Sequence, residues 1–405
     1  MGMIFYNLLY NFLRFLVVVL SPILDKKTNA WIELRHNGEI FKTSVSPNSK
    51  KLWIHASSGE IEYAKSFIRE FKKSQPEAQI FVSYSSLSAP LLFKNIAGDV
   101  TQFFPLNWDI TSDNDKLLDF IKPDLLIFSR TDYWPNLITQ AHRKNIKLAT
   151  IAANPTRSIL SSFWLKFCCS GFKYMSCVEE NQVKYLQKLL PYTKVEFIPD
   201  TRFDQVFHRL QQKSLVQLDA SQKRITLGST WPKDDEVIKP LAFKLINQGY
   251  SLVWAPHDIK HAPELLNDLK NRLPRKKIIK LADFNGSETF DILIVDRIGV
   301  LADFYRFSKI SFVGGSFVSK VHSVMEPLCA GNFVIVGPYF ANNPEAIAFK
   351  KNKLVKSVKN QHQFLDAVDY FEKHEDQLID LKLRTESKKG GSLKTVQAIS
   401  EILKF

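Results

Sequence analysis

The sequence predicts an α/β protein made of two doubly wound domains. Its 405 residues suffice for two domains of ordinary size. Beyond residue 50, short β-rich runs alternate with amphipathic stretches, which favours parallel sheets with helices on both faces. A polar, basic stretch, Phe207–Lys223, separates two sets of predicted strands. We therefore predict one domain over residues 31–205 and a second over 206–405 that includes a final helix.

The predicted strands are short runs of mostly apolar residues bounded by polar or turn residues. In the first domain they are Leu52–His55, Ile80–Tyr84, Leu125–Phe128, Leu148–Ala152, Tyr174–Val178 and Val195–Ile198. In the second they are Ile225–Leu227, Leu252–Ala255, Ile292–Val295, Ile310–Val313, Phe333–Val336 and Leu354–Val358.

Residues 1–30 are predicted to form a membrane anchor helix. Ile4–Leu24 is mostly apolar and just long enough to span a bilayer. Its polar residues share one stripe at helical spacing: Asn7, Asn11, Arg14 and Ser21. A charge near the middle of a span costs about 2.5 kcal/mol or more. The helix therefore either spans the membrane or lies in the interface with its stripe facing water or protein. A buried helix of the soluble body is the third alternative.

Charge and cysteine usage narrow the class of partner. The formal net charge is +14, from 55 basic and 41 acidic residues, which favours an anionic partner. The basic residues are scattered, without a zinc-finger or RNA-binding signature, so a membrane surface or anionic substrate is favoured over nucleic acid. The four cysteines have no metal-ligand spacing, which predicts free thiols in a reducing cytosol and no metal site. The basic residues that follow the anchor predict a cytoplasmic location for the rest of the chain: Lys26, Lys27 and Arg35.

The first candidate site follows the strand Leu52–His55. Ser58, Gly59 and Glu60 form a small-residue turn at the start of a helix, and Glu60 falls in its first turn. The helix dipole favours an ionised carboxylate there. Such a carboxylate suits a general base that removes a proton from an attacking hydroxyl. Alternatively, Ser58 and Glu60 only cap the helix.

Two further polar segments belong to the first domain. Arg130 and Asp132 follow a strand and would stand at the carboxyl edge of the sheet, where ligands bind, or form an ion pair within the loop. Arg202, at the junction of the two strand sets, could reach a phosphate or carboxylate, or make an interdomain salt bridge.

In the second domain, several predicted strands end in small or polar residues. Ser229 and Thr230 follow Gly228 in a turn that can hold a phosphate. His257 ends another strand and is either a ligand contact or a surface histidine. Gly299 would let backbone amides approach a flat base.

The segment from Phe312 onward is the most informative. A buried strand runs into Gly315 and Ser316, then His322 and Glu326 follow four residues apart, which places them on one helix face. The histidine can bond a phosphate oxygen and the glutamate can accept from ribose hydroxyls, or both can cap the helix. The next strand is followed by Asn342 and Glu345. Together these features indicate a nucleotide-activated substrate.

Taken together, these segments resemble the Kdo transferases, lipopolysaccharide enzymes that move 3-deoxy-D-manno-octulosonic acid (Kdo) from CMP-Kdo onto a lipid A precursor. The resemblance is collinear from about residue 31 to 350. The matching motifs are Ser57–Glu60, Arg130–Asn136, Asp200–Asp204, Gly228–Trp231 and His322–Pro327. It implies the GT-B fold, in which two Rossmann-like domains face a central cleft, and a hydrophobic N-terminal anchor.

The resemblance also implies roles for individual residues. Glu60 matches the catalytic base, and Asp132 matches a second acidic position. Arg130 stands where the family has glutamate, and Ser323 where it has asparagine. The implied donor contacts are Gly315, Ser316, His322, Glu326, Asn342 and Glu345.

The predicted activity is inverting transfer of Kdo from CMP-Kdo to a lipid A precursor (lipid IVA) at the cytoplasmic side of the inner membrane. No cofactor is expected besides the donor substrate. Helix N-termini after Gly228 and Gly315 are expected to stabilise the leaving phosphate. Two alternatives remain: a GT-B enzyme that uses a UDP-sugar on a lipid or cell-wall acceptor, and a catalytically silent, membrane-attached glycan-binding scaffold.

Overall fold

The computed structural model describes residues 2–36, 43–286 and 288–404. The chain divides into two compact units. Unit 1 comprises the residues up to Gln205 and those from Lys388 onward, and unit 2 is Val206–Ser387. The division falls inside one helix, Thr201–Gln211, just before the polar stretch that marks the boundary in the sequence.

Unit 1 is built on a parallel seven-stranded sheet in the order β3-β2-β1-β4-β5-β6-β7. Its strands are β1 Lys51–His55, β2 Gln79–Tyr84, β3 Gln102–Pro105, β4 Leu125–Ser129, β5 Lys147–Ala153, β6 Tyr174–Cys177 and β7 Lys194–Phe197. Its helices are α1 Gly2–Leu20, α2 Lys26–His36, α3 Ile61–Ser74, α4 Thr111–Ile121, α5 Pro135–Arg143, α6 Ile159–Cys169, α7 Asn181–Leu189 and α8 Thr201–Gln211. Apolar clusters on both faces of the sheet form the core.

Unit 2 repeats this plan with a parallel seven-stranded sheet in the order β10-β11-β9-β8-β12-β13-β14. Its strands are β8 Arg224–Thr230, β9 Ser251–Pro256, β10 Ile278–Lys280, β11 Ile292–Ile294, β12 Ile310–Val313, β13 Phe333–Val336 and β14 Val355–Ser357. Its helices are α9 Pro232–Ile238, α10 Ala242–Asn247, α11 Ala262–Arg272, α12 Leu301–Phe304, α13 Met325–Cys329, α14 Pro344–Lys351, α15 Gln361–Lys373 and α16 Gln377–Glu386.

The doubly wound α/β prediction is confirmed, and each predicted strand is present. The sequence reading missed β3 and β10. Both are edge strands, paired on one side only, with four and three residues respectively. A short strand at an edge buries little, so its sequence carries a weak pattern.

The final helix, α17 Gly391–Lys404, packs with unit 1, so its predicted place in the second domain is wrong. Val396, Ala398 and Ile399 join the apolar cluster of the first sheet. The Asp204 carboxylate accepts from the amides of Gly390 and Ser392 at 2.7 Å each, which fixes the start of the helix. These apolar side chains are buried against the first sheet, although most of that sheet lies far away in the sequence.

Helix α1 lies against unit 1 by its polar side. Tyr6 Oη donates to Asp109 Oδ2 at 2.9 Å, and Asn136 Nδ2 donates to Asn7 Oδ1 at 2.7 Å. None of the residues of α1 is buried, so a helix inside a soluble core is excluded. Within the described residues, this is the one helix long and apolar enough to cross a membrane, by length and composition alone.

Arg35, one of the basic residues expected to orient the chain, is buried in unit 1. It is 1% exposed, and its guanidinium carbon lies 4.3 Å from the centre of the Trp134 ring. Stacking on indole compensates part of the cost of burying this charge.

Candidate active site

The candidate residues of unit 1 meet where the strand order of its sheet reverses. β1 and β4 are neighbours in the sheet. The strand that follows β1 lies toward one edge of the sheet, and the strand that follows β4 lies toward the other edge. Ligands of doubly wound proteins bind at the carboxyl ends of such strands. Glu60 follows β1, whereas Arg130 and Asp132 follow β4. The structure therefore brings these three predicted residues together.

Glu60 lies immediately before α3, one position earlier than predicted. Ser57 N donates to Glu60 Oε2 at 3.3 Å, and Ser129 Oγ donates to the Glu60 carbonyl at 2.8 Å. Within the described residues, the Glu60 side chain makes no capping hydrogen bond to α3, and Ser58 Oγ pairs with Ser88 Oγ at 3.1 Å. The Glu60 carboxyl therefore does not cap α3 itself, and the backbone donor that it bonds is the Ser57 amide before the turn.

Asp132 is held by His55 and Trp134. His55 Nε2 lies 2.9 Å from Asp132 Oδ2, and Trp134 Nε1 lies 3.3 Å from the same oxygen. Trp53 Nε1 donates to Ser83 Oγ at 2.8 Å, so the Ser83 hydroxyl is free to donate to His55 Nδ1 at 2.9 Å. Trp134 Nε1 also lies 3.0 Å from His55 Nε2, so the tautomer of His55 decides whether that nitrogen accepts from Trp134 or donates to Asp132. The alternative of an ion pair between Asp132 and Arg130 is not found among the described contacts.

The environments of the two carboxyl groups separate their pKa values. Burial raises the pKa of Glu60, and the nearby charge of Asp132 raises it further. Burial also acts to raise the pKa of Asp132, but the hydrogen bond and the charge of His55, with hydrogen bonds from Ser57 and Trp134, outweigh it and hold that pKa below its ordinary value. A pair of carboxyls pushed apart in this way is typical of acid–base sites. Of the two carboxyl groups, Asp132 is therefore the stronger acid and Glu60 the weaker.

Arg130 and Arg202 lie over the ring of Tyr63. The guanidinium carbons are 4.7 Å and 4.4 Å from the ring centre. Arg202 also donates to both carboxylate oxygens of Asp200, at 2.6 Å in the shortest bond. Because Asp200 belongs to the same unit, this pair is not the interdomain salt bridge that was considered.

In unit 2 the strand order reverses between β8 and β12. Asp234, in the first turn of α9, is fully buried and ties both loops together there. Its carboxylate accepts from the amides of Trp231 at 2.8 Å, Gly315 at 2.7 Å and Phe317 at 3.1 Å. A side chain on Gly315 would meet the Lys320 carbonyl at 2.5 Å, and this glycine has φ +81°. The glycines here serve the close packing of loops.

This arrangement corrects the predicted phosphate site. The amides of Trp231 and Gly315 already donate to Asp234, so in this structure they are not available to bind a phosphate. Ser316 is fully buried, and its hydroxyl donates to the Val313 carbonyl and accepts from the Gly337 amide. Thr230 is also buried and accepts from Trp254 Nε1 at 3.1 Å. Substrate contact by either hydroxyl would require these loops to move. Ser229 is half-buried with φ +53°.

Three aromatic rings stack beside these loops. His257 stacks on both Trp231 and His322, with ring-centre distances of 4.8 Å and 4.4 Å, and the ring centres of Trp231 and His322 are 6.4 Å apart. Trp231 Nε1 donates to His322 Nε2 at 2.9 Å, which requires a neutral imidazole. Burial, with the charge of neighbouring groups, lowers the pKa of His322 to about 4. His257 itself is exposed, so this stack has an open face.

His322 and Glu326 do not share a helix face, contrary to the prediction, because α13 begins only at Met325. Glu326 pairs with Arg209 at 3.3 Å, and Arg209 also donates to the Gly299 carbonyl at 2.7 Å. The predicted residues Gly299 and Glu326 are therefore joined through one arginine that the sequence reading missed.

The remaining predicted donor residues follow β13. The Asn342 side chain bonds the backbone of Val321 in both directions, at 2.9 Å and 3.1 Å, and so fixes the segment that carries His322. Glu345 lies half-buried in the first turn of α14. Across residues 2–36, 43–286 and 288–404, no group of three or more His, Cys, Asp or Glu side chains is arranged to hold a metal.

The sequence reading also missed His55, Trp134 and Asp234. His55 ends β1 and Trp134 precedes α5. Strand ends and helix starts of this kind predicted the other site residues, so the same signal could have indicated these two. Asp234 carried the weaker signal of an acid at the third position of a helix that begins with proline.

Comparison with known sequences identifies relatives of this chain. A sequence model of the family described as 3-deoxy-D-manno-octulosonic-acid transferase (kdotransferase) matches residues 34–205. A bifunctional glycosyltransferase/methyltransferase of Fusobacterium nucleatum is 26% identical over 385 residues, a match that covers 90% of this chain and 59% of the relative. A 3-deoxy-D-manno-octulosonic acid transferase of Rickettsia prowazekii is 27% identical over 364 residues, covering 85% of this chain and 77% of the relative. The enzyme of that name from Chlamydophila psittaci is 27% identical over 325 residues, covering 75% and 73%.

Solved structures agree on the fold. The UDP-GlcNAc 2-epimerase of Neisseria meningitidis superimposes with a TM-score of 0.63 at 15% identity, over 87% of this chain and 99% of the epimerase. MurG of Acinetobacter baumannii superimposes with a TM-score of 0.55 at 11% identity, over 87% and 99%. At these identities the likeness shows the GT-B class of fold and no more. The sequence relatives carry the comparison further: residues 34–205 match the 3-deoxy-D-manno-octulosonic acid transferases, a family of glycosyltransferases, and relatives of that name are 26–27% identical over most of this chain.

Proposed function

We propose that this protein transfers Kdo from CMP-Kdo to a hydroxyl group of a lipid A precursor, with inversion at the anomeric carbon. One observation carries the proposal. Within the segment that matches the transferase family, Glu60 and Asp132 meet at the reversal point of the sheet with their pKa values pushed apart.

The chemistry requires a base and a leaving group. Glu60 removes the proton of the acceptor hydroxyl as its oxygen bonds to the anomeric carbon, and the bond from that carbon to the phosphate of CMP breaks. A raised pKa makes Glu60 a stronger base than an ordinary carboxylate. Asp132 stays charged and favours the protonated form of Glu60 that results.

We assign the donor nucleotide to unit 2. The open face of the Trp231–His257–His322 stack suits a flat base or sugar, and neutral His322 can donate through its other ring nitrogen. The ribose hydroxyls are assigned to Glu326, beside Gly299 and Arg209. We assign Asn342 an indirect role, because it bonds the segment that carries His322. Glu345 follows three residues later, in the first turn of α14.

We also propose that the protein works on a membrane, because a lipid A precursor carries acyl chains. α1 exposes a row of apolar side chains, such as Phe5 at 70% and Leu8 at 68%. α6 exposes Ile159 at 89%, Leu160 at 82% and Phe163 at 69%. Tyr6 and Trp164 contact each other with ring centres 6.3 Å apart, so the two helices form one apolar surface.

This surface favours the interfacial alternative for α1. Tyr6 and Asn7 are bonded to Asp109 and Asn136 in the body of unit 1, and a spanning helix would have to break those bonds. The bonded helix presents its apolar side outward, as a helix lying in the plane of a membrane does. The cytoplasmic face of the inner membrane is the location we propose.

Incubation with CMP-Kdo and a tetra-acylated lipid A precursor, followed by mass spectrometry of the lipid, tests the function. We expect the mass of the lipid to rise by Kdo units, with release of CMP. Parallel reactions with UDP-sugars test the rival GT-B activity. Absence of transfer from any donor by folded protein on vesicles would instead support the silent glycan-binding scaffold.

A further inference from the structure

We propose that Arg130, together with Tyr63 and Arg202, forms a binding position beside Glu60 for an anionic group of a substrate, a carboxylate or a phosphate monoester. The inference deepens the proposed function and rests on it for the identity of the substrates. It concerns unit 1 alone.

The backbone of Arg130 holds an unfavourable conformation. Its φ is +71°, in the left-handed region that favours glycine and that is unfavourable for a residue with a side chain. Two contacts fix it: Arg130 N donates to the Ile151 carbonyl at 2.9 Å, and Tyr133 Oη donates to the Arg130 carbonyl at 3.2 Å. The fold thus maintains strain at the end of β4, and the result is a guanidinium lying over Tyr63.

The charges around Tyr63 are unevenly compensated. Two guanidinium groups share the ring, and their like charges repel each other. Arg202 has Asp200 as a bidentate partner. Arg130 makes no ion pair with any carboxylate in residues 2–36, 43–286 and 288–404, and its side chain is half-buried. An anion placed against it would relieve the repulsion.

The chemistry of arginine selects the ligand. A guanidinium presents donors in a planar fork that matches the two oxygens of a carboxylate or phosphate. Its stacking on Tyr63 restricts the fork, so less side-chain freedom is lost on binding. The position lies at the carboxyl end of β4 beside Asp132, where ligands of this sheet type bind. In the proposed reaction the donor sugar carries a carboxylate and a phosphorylated acceptor carries phosphate monoesters, so either substrate can supply the anion.

A competing role for Arg130 is purely electrostatic. Its charge acts on Glu60 and lowers the pKa of that carboxyl, against the larger effect of burial. If this were its only function, removing the charge would shift the pH dependence of the reaction and would not discriminate between anionic and neutral substrates.

The test compares Arg130→Ala and Arg130→Lys with Arg157→Ala as the matched control. Arg157 also stacks on a tyrosine of unit 1, with its guanidinium carbon 5.5 Å from the Tyr185 ring centre. Steady-state constants are measured for CMP-Kdo and for the acceptor with and without its phosphate groups. We expect Arg130→Ala to raise the KM of one anionic substrate about tenfold or more, with kcat little changed. Arg130→Lys should recover part of the loss, and Arg157→Ala should match the wild type.

The comparison between substrates identifies the source of the anion. A rise in KM for the phosphorylated acceptor alone indicates its phosphate, and a rise for CMP-Kdo alone indicates the carboxylate. If Arg130→Ala had the same KM as the wild type for every substrate, and only its pH profile were shifted, the binding position would be overturned.

A second measurement is independent of turnover. Inorganic phosphate is titrated into protein with labelled arginine, and the Arg130 side-chain resonance, assigned by its loss in Arg130→Lys, is followed by NMR. A saturable shift supports the position even if no Kdo is transferred, in which case the proposed function fails alone. Kdo transfer that proceeds equally in Arg130→Ala, without a phosphate-induced shift in the wild type, overturns the inference alone.

Discussion

His55 Nε2 lies 2.9 Å from Asp132 Oδ2, and this contact helps to hold the pKa of Asp132 below its ordinary value beside Glu60. The order of the chain explains the arrangement. His55 is the last residue of β1 and Asp132 follows β4, the neighbouring parallel strand, so both project at the same edge of the sheet. The fixed charge of Asp132 then acts on Glu60, five residues after His55.

Asp132→Asn is expected to shift the acid limb of the pH–rate profile to lower pH. Burial and the Asp132 charge both raise the pKa of Glu60, so removing the charge lowers that pKa. Glu60 is then ionised at lower pH but is a weaker base, and the plateau rate falls. The profile of kcat/KM for the variant against wild type measures this, with exposed Asp119→Asn as control. A limb that moved to higher pH would contradict the assignment.

Glu60→Gln is expected to reduce kcat for Kdo transfer by roughly 10²- to 10⁴-fold, the usual contribution of a general base. The amide keeps the shape of the side chain and can still accept from Ser57 N. Binding of CMP-Kdo, measured by calorimetry, should stay within a factor of a few. Glu70→Gln, on the exposed side of α3, is the control. Unchanged transfer by Glu60→Gln would remove Glu60 as the base.

The sequence was sufficient to predict the strand ends but not the contacts made there. Strand–glycine and strand–polar patterns correctly placed Glu60, Asp132 and Ser229 at the carboxyl edges of two sheets. Which amides were free could not be predicted, because the carboxylate that occupies Gly315 N comes from Asp234, 81 residues earlier. Likewise, the place of α17 depends on a core that forms from residues far away in the chain.

His322 is expected to titrate near pH 4 rather than near its ordinary pKa of 6.5. Because the folded state resists protonation, the unfolded state binds more protons between these values. The free energy of unfolding of unit 2 should therefore fall as pH decreases from about 6.5 toward 4, and the Trp231–His322 hydrogen bond should be lost only around pH 4, where folded His322 takes up its proton. Histidine NMR measures the pKa, with His322→Gln to assign the signal. Titration near 6.5 would contradict the stacked, neutral imidazole.

Asp234→Asn is expected to destabilise unit 2 by about 1–3 kcal/mol. The new amide group places a donor against amides that now donate to the carboxylate, so at least one of Trp231 N, Gly315 N and Phe317 N loses its acceptor. Urea unfolding gives the change, and Glu236→Gln on the exposed face of α9 should stay within about 0.5 kcal/mol of wild type. Equal stability of both variants would show that Asp234 does not hold the loops.

Replacing Leu160 and Phe163 together by Asp is expected to weaken binding to vesicles. Both side chains are exposed on α6, and immersion of a large apolar side chain contributes roughly 1.5–3 kcal/mol, so the pair should change partitioning about a hundredfold or more. Flotation with vesicles that contain anionic phosphatidylglycerol measures the bound fraction. The control replaces by Asp two residues on α16 of unit 2, Ile379 and Leu383, which are 70% and 62% exposed. If α1 alone spanned the membrane, both pairs would leave binding unchanged, because insertion of a spanning helix far outweighs one surface patch.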